Sequence, residues 1–290
     1  MNYRTLLFAL SVLVFSFSSC TKKNKDVSDL NIIFLHHSTG EMIWEGKPRT
    51  LFNRAVGKIS SNLAEKISRK PQIIKLMEAY NNEQKTDYRI TEERFPKHSP
   101  YGWRNYPYDY YNIWVKHAGK EPFMEEPTLE MLTQDYQVII FKHCFPVSNI
   151  EPDQDSANIN SPVHTLANFK LQYNALRDKL NTFSDTKFIL FTGAVQVKSN
   201  LSESEALRAL EFYKWVKEEW DLADDNILLW DLYGLQTDGG LYFKDDFAVS
   251  QFDSHPNKAF SRKAGKLLFA RIIDVIENEG KSTQLTGEYK

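Results

Sequence analysis

The fold is decided by one stretch of the chain, NIIFLHHSTG, which covers Asn31–Gly40. Its first half is a run of apolar residues that favour β-structure, and such a run predicts a strand buried on both faces. Its second half puts two histidines, a serine and a glycine directly after that strand. The strand therefore ends either at the edge of an active site or in an ordinary polar turn.

Three further runs of the chain are similarly short and apolar. They are VIIF at Val138–Phe141, KFILF at Lys187–Phe191 and NILLW at Asn226–Trp230. Continuous rather than alternating apolar residues predict the strands of a parallel sheet. Amphipathic spacing predicts helices over Thr165–Phe183, Ser202–Trp220 and Lys258–Asn278. The alternation of strands and helices predicts an α/β domain, a doubly wound parallel sheet flanked by helices.

The region between the first two strands has a less regular pattern. Ser60–Tyr80 is typical of a helix interrupted at Pro71, and Thr86–Glu92 is a candidate short strand. A tract rich in aromatic residues, proline and glycine follows, and we expect an insertion over about residues 84–130. Such a segment either walls a ligand pocket or forms a stabilising aromatic cluster.

Composition limits both the architecture and the partners. The chain has 290 residues, 42% of them hydrophobic, which is enough for one large core. With 36 basic and 38 acidic residues and no long basic stripe, nucleic acid is not an expected partner. We expect one domain over residues 30–282 and a C-terminal tail over 283–290.

The N-terminal segment has the features of a secretory signal. Arg4 precedes an apolar run, Thr5–Phe17, that is too short to favour a membrane-spanning helix. Small residues then precede Cys20, and this pattern resembles a bacterial lipobox. The resemblance implies a signal peptide over 1–19, a lipidated Cys20, a flexible tether over 20–29 and an exported lipoprotein anchored to a membrane of the bacterial cell envelope. An ordinary secretory signal and an N-terminal anchor helix are the alternatives.

Polar residues gather where the predicted strands end. Because the carboxyl ends of parallel strands meet at one edge of a sheet, these side chains are expected to converge there. The three segments concerned are His36–Gly40, Lys142–Pro146 and Phe252–Asn257. Ser38 is then a candidate nucleophile, His255 a base that takes its proton, and Asp253 a carboxylate that orients the imidazole.

The order of these residues resembles the SGNH/GDSL hydrolase superfamily, with a serine after the first strand and an Asp-x-His-Pro-Asn block before the last helix. The resemblance implies a three-layer, flavodoxin-like fold and ester hydrolysis without a cofactor, often the deacetylation of carbohydrates. It makes Ser38 the nucleophile and His255 the base. The Ser38 N–H would be an oxyanion donor, and the candidates for completing the oxyanion site and pocket are His37, Thr39, Gly40, His143 and Asn149.

Two departures from the family pattern concern the triad. His36 and His37 stand where the family has Gly-Asp. The acid and the base are separated by one residue instead of two, so that Phe252 occupies the family's acid position. Asp253 is our first candidate for the acid, and Asp245, Asp246 or a backbone carbonyl are alternatives.

Two other functions remain open at this point. A metal-dependent hydrolase would use the ligand-type residues at the strand ends. These residues are His36, His37, His143, Cys144, Asp253 and His255. A carbohydrate-binding surface lipoprotein would keep the fold with a degenerate site, as Phe252 in the acid position suggests. Each of these residues also has a purely structural interpretation: His36 or His37 can be a structural histidine, and the DSHPN segment can be an Asx-type turn that caps the closing helix.

Overall fold

A computed structural model of the chain describes residues 29–48, 70–102, 104–153 and 156–290. The predicted signal peptide, Cys20 and nearly all of the tether lie outside these residues, as does the first half of the helix predicted over Ser60–Tyr80. In the part that is described, no helix has the length and apolar character needed to cross a membrane.

The centre of the molecule is a five-stranded sheet in which every pair of neighbouring strands is parallel. In chain order its strands are β1 (Asp29–His36), β2 (Asp87–Arg94), β3 (Val138–Phe141), β4 (Lys187–Phe191) and β5 (Ile227–Trp230). The four strands predicted from apolar runs are therefore confirmed. The candidate strand at residues 86–92 also forms, so the first part of the expected insertion belongs to the sheet.

Eight helices accompany the sheet in the described residues. They are α1 (Ser38–Glu45), α2 (Gln72–Gln84), α3 (Pro107–Tyr110), α4 (Leu129–Asp135), α5 (Leu166–Leu180), α6 (Glu203–Trp215), α7 (Leu232–Thr237) and α8 (Lys258–Asn278). Helices α3 and α6 continue as π-helical turns, Tyr111–Lys116 and Val216–Trp220. Helices α1, α2 and α8 pack together, while α3, α5 and α6 form a separate group. The predicted three-layer α/β fold is confirmed.

The long helices begin where the sequence places a capping side chain. Thr165 accepts a hydrogen bond from the Asn168 N–H at the start of α5. Ser202 and Glu205 form a reciprocal capping box at the start of α6. Asn257 accepts the Phe260 N–H at the start of α8. These caps satisfy N–H groups that have no acceptor within the helix, and so fix where each helix begins.

The strand order is β2-β1-β3-β4-β5. The chain passes from β1 outward to β2 and then returns across β1 to β3, so the winding direction reverses between β1 and β3. In sheets of this kind a crevice opens at that reversal, beyond the carboxyl ends of the strands. The segments after β1 and β3, which begin at His37 and Lys142, therefore border one crevice.

A short hairpin, absent from the sequence-based prediction, precedes the last helix. Its strands β6 (Ala248–Ser250) and β7 (Asp253–Pro256) are antiparallel. The DSHP residues are thus a strand and not a turn, and β7 lies against α1. Ser254 anchors the strand, because its Oγ accepts the Val197 N–H at 3.0 Å.

The aromatic tract belongs to the core. Its buried rings are those of Phe95, Tyr101, Tyr106, Tyr110, Tyr111 and Trp114. Tyr110 contacts Trp114 edge to face, with ring centroids 4.8 Å apart, and it packs on Phe141 of β3. Both alternatives for this tract are met in part, because its buried rings form an aromatic cluster in the core while Arg94, Lys97 and Gly102 line an open cleft.

The C-terminal segment, predicted as a tail, returns to the end of β5. The Asp231 N–H donates to Leu285 O at 2.9 Å, and Trp230 Nε1 donates to Thr286 O at 3.0 Å. Residues 283–290 therefore extend the packed domain beyond the boundary expected at residue 282.

Helix α1 starts only two residues after β1 ends, and Gly40 makes this sharp turn possible. A Cβ added at Gly40 would lie 2.4 Å from the Cβ of His36, whose side chain is fully buried. Such a contact is too close for any side chain. The absence of a side chain at Gly40 thus lets the first turn of α1 rest on the end of β1.

We expect Gly40→Ala to lower the free energy of unfolding by about 1–3 kcal/mol, because α1 or His36 has to move. Gly119→Ala is the matched control, since a Cβ there meets no atom within 4 Å. Its effect should stay within about 0.5 kcal/mol. Urea unfolding of both variants measures the difference, and equal stabilities would contradict the close packing of α1.

Candidate active site

The serine, histidine and aspartate predicted from the strand ends form a hydrogen-bonded chain. Ser38 Oγ lies 2.8 Å from His255 Nε2. His255 Nδ1 lies 2.6 Å from Asp253 Oδ1. The imidazole thus bridges a hydroxyl and a carboxylate, which is the arrangement of a nucleophile, its base and an orienting acid.

Secondary structure explains how Asp253 reaches the imidazole across a spacing of two positions. On a strand, residues i and i+2 point to the same face, and Asp253 and His255 are two such residues of β7. Asp253 Oδ1 also accepts the His255 N–H at 3.0 Å, which fixes the carboxylate. Phe252 lies in the hairpin turn and is 70% exposed, so it does not take the place of the acid.

Ser38 is the first residue of α1, and only His37 separates it from the end of β1. The N-cap residue, His37, has an extended backbone and makes no side-chain capping bond. The first N–H groups of a helix have no acceptor within the helix, and the helix dipole adds partial positive charge there. The N–H groups of Ser38 and Thr39 therefore belong to a helix start next to the hydroxyl, where backbone donors are suited to stabilise an oxyanion.

The histidine pair supports this turn. His36 is buried, with Nδ1 lying 3.0 Å from His37 O and Nε2 lying 2.7 Å from Glu92 Oε2. His37 Nε2 lies 2.6 Å from Pro96 O, so this nitrogen carries the proton. Burial lowers the pKa of His37 to about 4, and the charges of Lys142 and Arg94 act in the same direction. His37 is thus neutral at pH 7.

An open cleft of about 610 Å³ lies over the serine. Three of the predicted site residues line it, namely His37, Ser38 and His255. The other lining residues are Glu41, Arg94, Lys97, Gly102, Cys144, Phe145 and Pro146. Phe145 also contacts the His255 ring edge to face, with centroids 5.5 Å apart. The cleft therefore combines charged groups with an apolar wall.

Sequence reasoning missed the charged residues of this cleft. Arg94 is the last residue of β2 and Lys97 follows it, so the strand-end rule would have found both had β2 been assigned its full length. Each is paired with a carboxylate. Arg94 Nη2 lies 3.5 Å from Glu41 Oε2, and Lys97 forms an ion pair with Glu93.

Besides Asp253, four predicted site residues do not line the cleft. Thr39 and Gly40 are buried in the first turn of α1, where only their backbone is in a position to act. His143 is fully buried, and its ring meets that of Tyr110 edge to face with centroids 4.5 Å apart. Asn149 follows the 3₁₀ turn Phe145–Val147. The positions of His143 and Asn149 do not support the hypothesis that either side chain is the oxyanion donor.

The candidate metal ligands do not converge either. Within the residues that the structure describes, no three His, Cys, Asp or Glu side chains are arranged to hold a metal ion. His36 faces Glu92, whereas His143 packs among Tyr110 and Tyr173. Burial holds the pKa of His143 well below its usual range.

Comparisons with protein-family models, with curated proteins and with solved structures found no significant match to the chain.

The low pKa of His37 predicts a pH dependence of stability. The unfolded chain takes up a proton on this residue near pH 6.5, whereas the folded chain takes it up only near pH 4. Between these values the unfolded state binds more protons, so the free energy of unfolding falls as the pH is lowered through this window.

We expect the free energy of unfolding of His37→Gln to decrease less than that of wild type as the pH is lowered, because glutamine does not titrate. Urea unfolding of wild type and variant at pH 7.5 and pH 5 measures the effect. The difference at pH 7.5 gives the cost of the altered bond to Pro96 O. Wild type should lose more stability than the variant on going to pH 5, and equal losses would contradict the prediction.

Proposed function

We propose that this protein is a serine-dependent ester hydrolase that works through an acyl-enzyme intermediate. One observation carries the proposal, the hydrogen-bonded chain from Ser38 Oγ through His255 to Asp253. Its position at the reversal point of the sheet supports the same function, because ligands bind there in sheets of this order. The SGNH/GDSL resemblance adds the expectation of ester chemistry and stays a proposal.

The proton positions suit general base catalysis. With Nδ1–H donating to Asp253, Nε2 carries the lone pair and faces the serine hydroxyl. His255 then takes the Ser38 proton while Oγ attacks the ester carbonyl carbon. Asp253 stabilises the imidazolium that forms.

The remaining steps follow from the same groups. Negative charge develops on the carbonyl oxygen and is stabilised by N–H groups at the start of α1. His255 gives its proton to the departing alcohol oxygen, and the acyl group remains on Ser38. Water then attacks with His255 again as base, which releases the acid and restores the serine.

For the substrate we propose only a chemical class, the acetyl esters of carbohydrates. Arg94, Lys97 and Glu41 give the cleft polar groups that suit the hydroxyl-rich leaving group of a glycan ester. Removal of acetyl groups from carbohydrates is the family's frequent activity, and we retain it as the proposed substrate class. Most described aromatic residues of the tract are buried and Tyr108 and Phe123 are partly so, and the tract therefore offers little ring surface on which a sugar could stack.

The binding-only alternative rested on Phe252 in the family's acid position. Phe252 is exposed in the hairpin turn and Asp253 contacts the imidazole, so this motivation no longer holds. We favour hydrolysis for that reason. An exported lipoprotein, anchored through Cys20 to a membrane of the bacterial cell envelope and facing the periplasm or the cell surface, remains the proposed setting for this activity.

We expect Ser38→Ala to lower kcat/KM for p-nitrophenyl acetate by about 10⁴-fold, because no nucleophile remains. A fluorophosphonate probe should label wild type at Ser38 and leave the variant unlabelled. Circular dichroism checks that the variant is folded. Equal rates, or no wild-type activity on short-chain or carbohydrate acetyl esters, would overturn the proposed function.

The variant Asp253→Asn tests whether Asp253, and not Asp245, Asp246 or a backbone carbonyl, is the acid that orients His255. Because asparagine does not stabilise the imidazolium, we expect kcat to fall roughly 10²- to 10⁴-fold with little change in KM. Asp245→Asn is the matched control, an exposed carboxylate in the neighbouring loop. Asp245→Asn and Phe252→Ala should each retain most of the activity. If Asp245→Asn were inactive and Asp253→Asn active, Asp253 would not be the acid of the triad and the assignment made here would be wrong.

A further inference from the structure

A lysine and a cysteine meet beside the cleft. Lys142 and Cys144 follow β3, and the Lys142 Nζ lies 3.3 Å from the Cys144 Sγ. Lys142 is fully buried and Cys144 is 7% exposed. A fully buried lysine is rare, because removing an ammonium from water is costly unless a partner compensates for it.

The partner of this lysine is the thiol. Among the described residues, no carboxylate lies within ion-pair distance of Nζ, and Sγ is the side-chain atom to which Nζ donates. Some partly buried lysines of the fold differ from Lys142 in having a carboxylate partner, as Lys217 has in Asp231. Among the described residues, no ion pair therefore draws the buried Lys142 Nζ away from the Cys144 Sγ.

The backbone around the pair is fixed from both sides. Tyr110 Oη donates to Lys142 O at 3.0 Å. The Cys144 N–H donates to Asn105 O at 2.8 Å. Tyr110 and Asn105 are themselves fully buried. The two side chains therefore start from restrained positions, and only the flexible lysine stem has to rotate for the nitrogen and sulfur to approach further.

The cleft gives small oxidants a route to the sulfur. Cys144 lines the cleft together with Ser38 and His255, whereas Lys142 is buried behind it. A peroxide molecule is small enough to enter a cleft of about 610 Å³ and reach the thiol. Because the Lys142 Nζ is hydrogen-bonded to the Cys144 Sγ, it also lies next to a sulfenic acid formed on that sulfur.

We propose that Lys142 and Cys144 are an oxidation site at which hydrogen peroxide joins Nζ to Sγ in a sulfenamide. In the first step the thiol is oxidised to sulfenic acid and the peroxide is reduced, releasing one water. In the second step the Lys142 ammonium first releases one proton to solvent, and the neutral amine Nζ then attacks the sulfenic sulfur, so that an S–N bond forms as the S–O bond breaks. The hydroxyl leaves as water with one amine hydrogen.

The link has two consequences. It holds Cys144 at the one level of oxidation that thiols reverse, and so protects the sulfur from irreversible oxidation to sulfinic acid. It also ties together Lys142 and Cys144, which lie two positions apart in the segment that follows β3, at the wall of the cleft. Neither consequence requires the hydrolase chemistry of Ser38.

The experiment treats the full chain with hydrogen peroxide, digests it with trypsin without reductant and maps the peptides by mass spectrometry. Trypsin needs a free lysine side chain, so we expect cleavage after Lys142 to disappear. The uncut peptide that contains Lys142 and Cys144 should be about 2 Da lighter, for two lost hydrogens. Dithiothreitol should restore both the mass and the cleavage. Peptide mapping keeps this signal separate from Cys20.

Three variants provide the controls. Cys144→Ser should show neither change, whereas Lys142→Met should gain oxygen on Cys144 in about 2- to 3-fold larger amounts than wild type. Ser38→Ala should form the link as wild type does, which separates this proposal from the proposed function. Cleavage at Lys142 that persists in oxidised wild type, or a link that contains an added oxygen, would overturn the proposal whatever the variants show.

Discussion

The immediate succession of β1 and α1 is the constraint on which the site depends. Only His37 separates the last residue of β1 from Ser38. The turn is tight enough to require a residue without a side chain at Gly40, and it sets the start of α1 at the point where the sheet reverses its winding. The hydroxyl and the free N–H groups of the helix start therefore share one small region, held by the packing of a buried histidine.

The opposite half of the site comes from the far end of the chain. Ser38 and His255 are 217 positions apart, yet their side chains are hydrogen-bonded. The β6–β7 hairpin lies against α1, and the closing helix α8 packs on α1 as well. The first and last parts of the described domain are thus held together by the same contacts that align the base with the serine.

The sequence was informative wherever one local pattern determines structure. Continuous apolar runs located four strands, and amphipathic spacing located the three longest helices of the second half of the chain. The strand-end rule found Ser38 and His255. It missed Arg94 because β2 is an edge strand with alternating exposed residues, unlike the fully buried strands. The burial of Lys142 was equally invisible, because lysine is normally exposed and only tertiary packing places it behind Cys144.

The hairpin strand β7 gives the spacing of acid and base a structural meaning. Alternation along a strand puts neighbours two apart on one face, whereas one intervening residue more would turn the carboxylate away from the imidazole. The single residue between Asp253 and His255 is therefore the spacing that an extended strand requires to place both side chains on one face. A shift of one position in this hairpin would separate the two groups without altering either side chain, so loop length here is under the same constraint as residue identity.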